Sequence, residues 1–296
     1  YGMGKVDFIF HFSDIHIRLY SRHDEYILVF EKVYKKLKEY HLQKKNCISV
    51  LTGDILHSKT DLSPEVEKVT YDFLKNLSEF FPIFMIAGNH DGLIHNPDRM
   101  DSLSSILYER EIENCFYLKE TGVYEFQNIR FFVDALFDEK EIDMSHEIVQ
   151  NLAPGYKNIG LFHGQIKGWR NLKGFVSPTG EKYVEQFSGM DYVLLGDIHC
   201  HQYMSRRKPI MAYASSLISQ NFNEYDLNHG FLVWNLHGDV QEYIIMENEY
   251  RHQIIEILPE NRFMTDGNEY TFLEEMDNAV APHGKIKVLG NEDEIS

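Results

Sequence analysis

Short, almost wholly apolar segments alternate with helical patterns in the first third of the chain, and this alternation limits the fold more than any other feature. The apolar segments are "FIFHF", "CISVLT" and "PIFMI". Apolar residues recur at helical spacing over 24–42, and Ser63 followed by Pro64 is a typical helix start. Strands that alternate with helices usually pair in parallel, with both faces of the sheet buried. The pattern therefore predicts an α/β fold that begins with a parallel sheet.

The later part of the chain is richer in strands. The segments "CFYL", "VYEF" and "IRFFVDA" predict antiparallel pairing, and a helix is expected over 141–152. Further strands are predicted from "NIGLFHG" onward. We therefore expect a two-sheet β-sandwich flanked by helices, in four α/β/β/α layers, over residues 1–246. Residues 247–296 are expected to form a small C-terminal α+β appendage. About 50 residues are too few to form a stable hydrophobic core by themselves, so this unit is not expected to be an independent domain.

Polar side chains able to bind metals follow five of the predicted strands. The motifs are "SDIH", "GDILH", "GNHD", "FHG" and "GDIHCH". Ligands of open α/β sheets bind beyond the carboxyl ends of the strands, so these five ends are expected to meet at one place.

In this order the motifs resemble those of calcineurin-like metallophosphoesterases, and the resemblance covers residues 5 to about 240. More narrowly, "GDILHSKTDLSP" and "YASSL" resemble segments of the meiotic-recombination-eleven nucleases, called SbcD in bacteria, which have relatives in large DNA viruses. Leu56 stands where those nucleases have Phe, and Ala214 and Ser215 replace their Pro-Gly pair.

The resemblance implies a two-metal phosphodiesterase with ligands at these strand ends: Asp14 and His16 for one ion, Asn89 and His163 for the other, and Asp54 bridging both. It implies that His90 faces the leaving oxygen as proton donor or transition-state stabiliser, and that His57 steers the phosphate. Asp91 is expected to orient His90 or its loop. Mixed oxygen and nitrogen ligands suit two divalent ions, Mn²⁺ first, with Mg²⁺, Zn²⁺ or Fe as alternatives.

The last motif leaves two ligand sets open, because Asp197, His199 and His201 alternate at every second position. Either Asp197 and His199 bind the metals, or His199 and His201 bind them and Asp197 contacts the ligands without binding metal. We favour Asp197 and His199, since that register needs no insertion after the strand-terminal Gly196.

The resemblance further implies a DNA exo- or endonuclease subunit of a complex for double-strand-break repair, which works as a homodimer with an SMC-like coiled-coil ATPase of the SbcC type. Residues 247–296 would then be the truncated start of a DNA-binding capping domain. A formal charge of −17 argues against non-specific binding to nucleic acid, which needs clustered cations. A nucleotide or small-molecule phosphodiesterase or phosphatase, and an inactive protein-binding scaffold, are the alternatives.

Two further expectations concern substrate contacts and compartment. In the Gly-rich, basic stretch 164–182, Trp169, Arg170 and Lys173 are candidate substrate-binding residues, with an ordinary solvated loop as the alternative. Three distant cysteines favour a reducing compartment, the cytoplasm or nucleus. The sequence shows no secretory signal or bilayer-spanning segment, so we expect neither secretion nor membrane association.

Overall fold

The computed structural model describes residues 4–290 except 97, 109 and 226–227. Within these ranges the strands form two six-stranded sheets and one four-stranded sheet.

The parallel part of the first sheet contains β1 (Phe8–Phe12), β2 (Cys47–Thr52), β3 (Ile83–Ile86) and β4 (Cys115–Tyr117), and β11 (Gly230–Asn235) and β12 (Glu242–Ile245) extend it in antiparallel fashion. The strand order across this sheet is β12-β11-β1-β2-β3-β4. The helices α1 (His23–Leu42) and α2 (Pro64–Phe80) cover its outer face. The Ser63 hydroxyl caps α2 by accepting from the Val66 N–H at 3.1 Å, as the Ser-Pro pair predicts.

The second sheet has the order β5-β6-β7-β8-β10-β9. Its strands are β5 (Gly122–Phe126), β6 (Ile129–Asp134), β7 (Lys157–His163), β8 (Tyr192–Gly196), β9 (Gln202–Ser205) and β10 (Ile210–Tyr213). Its inner face packs on the first sheet through fully buried side chains such as Ile48, Phe131 and Trp234. Burial of each such side chain stabilises the fold by roughly 1.5–3 kcal/mol. The expected two-sheet sandwich is therefore confirmed.

Two local predictions are wrong. The strand at Cys115 pairs in parallel with β3 in the first sheet, because α3 (Ser102–Tyr108) crosses over between them. It does not join the β5–β6 hairpin. The helix expected over 141–152 is reduced to α4 (His146–Val149), and none of its four residues is buried. A helix without a packed face gains little tertiary stabilisation, so the outer layer here is thin.

The C-terminal unit, residues 252–289, is a separate four-stranded sheet with one helix. It contains β13 (His252–Leu258), β14 (Arg262–Thr265), β15 (Asn268–Thr271), α5 (Phe272–Ala279) and β16 (Lys285–Leu289). Its small core of Ile255, Phe263 and Ala279 agrees with the predicted α+β appendage. Of the residues assigned to that appendage, 291–296 lie outside the described residues.

The C-terminal unit is joined to the sandwich by polar contacts. Ser219 Oγ and His252 Nδ1 lie 2.9 Å apart, and Lys285 donates to Glu25 of α1 at 2.7 Å.

Within the described residues, no α-helix combines the length and apolar character needed to cross a bilayer.

Candidate metal centre

The strand ends that the sequence analysis singled out lie together at one edge of the sandwich. The turns after β1 and β2 are interlocked: the Asp14 N–H donates to the Gly53 carbonyl at 3.0 Å, and the His16 N–H donates to the Asp54 carbonyl at 2.9 Å. Asp14, His16 and Asp54 each have φ of 51°. This left-handed backbone is unfavourable for such residues, so it is maintained only where the surroundings impose it.

The first group of converging atoms consists of Asp14 Oδ1, His16 Nε2, His199 Nε2 and Asp54 Oδ2. The two imidazole nitrogens are 3.1 Å apart, and Asp14 Oδ1 is 3.5 Å from His199 Nε2. Asp54 Oδ2 lies 3.6 Å from His16 Nε2. Asp14 Oδ1 is buried without a hydrogen-bond partner in the described structure. Nitrogen and oxygen donors that converge around an unsatisfied carboxylate oxygen fit a divalent cation.

The second group shares Asp54 Oδ2 with the first. His163 Nε2 lies 3.3 Å from Asp54 Oδ2, 3.1 Å from Asn89 Oδ1 and 3.7 Å from Asp197 Oδ1. His163 Nδ1 donates to the Thr52 carbonyl at 2.7 Å, which leaves Nε2 as the atom that would bind a cation. A carboxylate oxygen common to two such groups is the arrangement that a two-metal site requires.

The structure separates the two ligand sets that the Asp197–His201 motif left open. Asp197 and His199 lie in the two groups described above. His201 is turned away: its Nδ1 donates to the Tyr213 carbonyl at 2.7 Å, and its ring stacks on Tyr243 with centroids 4.0 Å apart. The geometry therefore favours Asp197 and His199 over the pair that includes His201.

His57 and His90 lie beside the first group. Their rings stack with centroids 5.6 Å apart, and the His16 ring is 4.9 Å from His90 and 5.5 Å from His57. His90 Nδ1 donates to the His57 carbonyl at 2.8 Å, which leaves Nε2 for proton transfer. Asp91 accepts from the backbone N–H groups of Gly88 at 2.8 Å and Leu56 at 2.9 Å. It therefore fixes the loops that carry Asp54 and His90.

The charges of the site divide its histidines into two kinds. Burial alone lowers the pKa of His163, but the carboxylates of Asp54, Asp14 and Asp197 outweigh it and raise that pKa to about 10. Burial lowers the pKa of His16 to about 3. The carboxylates around His163 thus favour a proton on its ring, and binding of a cation there would release that proton.

Two residues at the site were missed by sequence reasoning. Glu224 Oε2 accepts from His199 Nδ1 at 3.1 Å, and Arg18 donates from Nη1 to His57 Nε2 at 3.1 Å. Glu224 comes from a short 3₁₀ helix far along the chain, and no local pattern indicates it. Arg18 lies two residues after His16, where a cation beside a metal motif is a usable signal.

The three candidate substrate-binding residues lie in an exposed loop next to β9. The Arg170 N–H donates to Gln202 Oε1 at 2.8 Å, and Gln202 Nε2 donates back to the Arg170 carbonyl at 2.9 Å. Trp169 packs against the outer core of the second sheet, whereas Arg170 and Lys173 are exposed. Trp169 therefore anchors the loop, and only the two cations face solvent.

Comparison with known proteins agrees with this architecture. The family model described as calcineurin-like phosphoesterase matches residues 9–201. The chain is 39% identical over 262 residues to "Uncharacterized protein R555" of Acanthamoeba polyphaga mimivirus, covering 86% of the chain and 19% of that protein. It is 23% identical over 200 residues to "Putative phosphoesterase 244L" of Invertebrate iridescent virus 6, covering 67% and 68% respectively.

A third relative is bacterial. The chain is 25% identical over 171 residues to "Uncharacterized metallophosphoesterase YhaO" of Bacillus subtilis strain 168, covering 53% of the chain and 38% of that protein. The chain thus spans about a fifth of the mimivirus protein and well under half of the bacterial one.

Proposed function

The chain belongs to the calcineurin-like phosphoesterase family, which is a family of metal-dependent hydrolases, and on that premise we propose that it is a two-metal DNA nuclease. The observation that carries the proposal is Asp54 Oδ2, which lies within 3.6 Å of His16 Nε2 and 3.3 Å of His163 Nε2. One carboxylate oxygen shared by two ligand groups is suited to hold two cations side by side.

The proposed ligands of the first ion are Asp14, His16, Asp54 and His199, and those of the second are Asp54, Asn89, His163 and Asp197. Two divalent cations in these positions supply Lewis-acid stabilisation of the charge that develops on the phosphoryl oxygens. The mixture of carboxylate, amide and imidazole donors supports Mn²⁺ as the resident ion.

The protein groups around the ligands have separate tasks. His90 donates a proton to the leaving oxygen from Nε2, because its Nδ1 is engaged with the His57 carbonyl. The Thr52 carbonyl accepts from Nδ1 of His163 and so directs Nε2 toward the second ion, which would displace the proton from that nitrogen. Glu224 orients His199 toward the first ion in the same way.

DNA as the substrate, and the assembly that acts on it, are the finer part of the proposal. They are supported by the resemblance of "GDILHSKTDLSP" and "YASSL" to the meiotic-recombination-eleven and SbcD nucleases. In that reading the protein is a homodimer, its partner is an SMC-like coiled-coil ATPase, and the C-terminal unit begins a DNA-binding cap. The net charge of −17 favours a nucleotide or small-molecule phosphodiesterase instead, so that class is the second candidate.

The test compares labelled linear duplex DNA with bis(p-nitrophenyl) phosphate, each with Mn²⁺. We expect DNA degradation by the parent and by His237→Gln, a surface histidine paired with Asp7. We expect its loss in Asp54→Asn and in His90→Gln. Hydrolysis of the small diester without any DNA cleavage, with a partner ATPase present, would assign the second candidate. Absence of both activities together with absence of bound metal would leave an inactive scaffold.

A further inference from the structure

Arg18 carries a positive charge that the described part of the protein does not neutralise. Its Nη1 donates to His57 Nε2 at 3.1 Å and its Nη2 donates to Gln220 Oε1 at 3.2 Å. Both acceptors are uncharged. Among the described residues no carboxylate lies within 4.0 Å of this partly buried guanidinium, and its buried Nε has no acceptor.

This lack of a counter-ion distinguishes Arg18 from the other partly or fully buried arginines. Arg22, four residues further along the chain, donates to both carboxylate oxygens of Glu25 at 2.8 and 2.9 Å. Arg130 pairs with Glu125, and Arg251 pairs with Asp266. In a chain with 46 acidic residues, an unpaired cation beside the metal centre is a site prepared for an anion from outside.

His57 adds a second unsatisfied donor to the same place. Because a guanidinium only donates, His57 Nε2 must be the acceptor, and the neutral ring carries its proton on Nδ1. That nitrogen is buried and has no partner in the described structure. The two side chains therefore present a charge and unmet N–H groups together, as recognition of a phosphate requires.

The position of the pair indicates which phosphate it contacts. The His57 ring lies 5.5 Å from the ring of the proposed ligand His16, and Arg18 Nη1 contacts Nε2 of His57 at 3.1 Å. Arg18 is thus linked to the metal centre through the His57 imidazole. A phosphate held there is next to the phosphate under attack and is distinct from it.

We propose that Arg18, together with His57, binds a second phosphate of the substrate, adjacent to the one that is hydrolysed. The substrates favoured by such a subsite are polynucleotide strands and nucleotides that carry an additional phosphate, over diesters with a single phosphate. The proposal rests on the proposed function for the location of the hydrolysed phosphate.

The test uses pairs of substrates that differ by one phosphate. Thymidine 5′-(p-nitrophenyl phosphate) is compared with its 3′-phosphorylated form, and thymidine 3′-(p-nitrophenyl phosphate) with its 5′-phosphorylated form, so that either side of the scissile group is covered. kcat/KM is measured for the parent, Arg18→Gln, Arg18→Lys and Lys68→Gln. Lys68 is an exposed cation on α2 and controls for net charge.

We expect the parent to prefer the doubly phosphorylated member of at least one pair by about tenfold or more, as a charged hydrogen bond provides. Arg18→Gln should lose this preference, Arg18→Lys should keep part of it, and Lys68→Gln should keep all of it. An Arg18→Gln variant that retains the preference overturns the proposal. The proposal is also overturned if Arg18→Gln lowers kcat/KM equally for both members of each pair, because Arg18 would then act only by positioning His57.

Binding separates failure of the subsite from failure of the nuclease assignment. Calorimetric titration with thymidine 3′,5′-bisphosphate and with thymidine 5′-phosphate requires no turnover. If no substrate is hydrolysed but the bisphosphate still binds more tightly in an Arg18-dependent way, the subsite stands and the proposed function fails. If DNA is cleaved but Arg18→Gln binds both nucleotides like the parent, the subsite fails alone.

Discussion

Glu224 offers the sharpest test of the metal centre, because it touches a proposed ligand without being one. Its Oε2 accepts from His199 Nδ1 at 3.1 Å, and its Oε1 accepts from Ser216 Oγ at 3.2 Å and from the Gln220 N–H at 3.3 Å. Burial raises the pKa of Glu224, but the hydrogen bond and charge of His199 outweigh this and lower it, so the group is a carboxylate at neutral pH. It therefore fixes the ring with Nε2 toward Asp14.

The magnitude follows from the kind of hydrogen bond that is removed. A carboxylate that orients a metal-bound histidine contributes about tenfold to a hundredfold to metal affinity. Glu224→Gln keeps an acceptor for Nδ1 and loses the charge, so we expect Mn²⁺ to bind about tenfold more weakly. Glu224→Ala also leaves Ser216 and Gln220 without their acceptor, and the expected loss is nearer a hundredfold.

The assay is competition for Mn²⁺ against a fluorescent chelator, which needs no substrate. Glu249→Gln is the matched control, since Glu249 is a carboxylate paired with Lys32 at 2.8 Å away from the proposed ligands. Only one of the two ions should weaken, because Glu224 contacts His199 and none of the groups around His163. Glu224 variants that bind both ions like Glu249→Gln would refute the reasoning, since His199 would then be oriented by other contacts.

Three further outcomes are expected. Asp197→Asn should lower the amount of bound Mn²⁺ measured by elemental analysis, while His201→Ala should leave it unchanged. Loss of Mn²⁺ in His201→Ala but not in Asp197→Asn would favour His199 and His201 as the ligands. Burial lowers the pKa of His11 to about 3. As pH falls below about 6.5, the His11 imidazole therefore takes up a proton in the unfolded chain but not in the folded one. This group should then lower the free energy of unfolding by about 1.4 kcal/mol for each pH unit of acidification. Urea melts at about pH 7 and about pH 5 should show a smaller difference in His11→Gln, and an equal difference would contradict the assignment. Gly53→Ala should destabilise by more than about 2 kcal/mol, because φ is +92° and a Cβ would lie 2.5 Å from a backbone nitrogen. Gly155→Ala, with φ of +93° and open space, should cost only about 1–2 kcal/mol in the same melts.

The convergence of the strand ends is predictable from the sequence because it depends on local signals. Each strand is a short apolar run, and residues after the parallel strands meet at one edge whatever the rest of the chain does. Asp14, Asp54 and His163 could therefore be placed together from spacing and order. The partner of the strand at Cys115 is not predictable in this way, since no local signal distinguishes a crossover connection from a hairpin.

The residues that support the ligands could not be found in this way. A period of two cannot choose between Asp197 and His201 as the ligand beside His199. The hydrogen bond of His201 to the Tyr213 carbonyl and its stacking on Tyr243 separate the two sets, and both are tertiary contacts. Glu224 reaches the site through the loop after β10, which is tertiary information. Arg18 could have been noted from the sequence as a cation beside a metal motif. What distinguishes it is that no described carboxylate lies near it, and only the structure shows this.

The local charge of the site, more than the charge of the whole chain, decides whether an anionic substrate is held. Asp14, Asp54 and Asp197 contribute three negative charges and Glu224 a fourth beside His199, so two divalent cations would neutralise the centre, and Arg18 adds a positive charge beside it. The field of such a centre is screened within about 8 Å at physiological salt. A polyanion approaching a chain of net charge −17 is therefore repelled until it is nearly in contact. A basic partner subunit would accordingly raise the rate of encounter with DNA and leave the rate of hydrolysis to the metal centre.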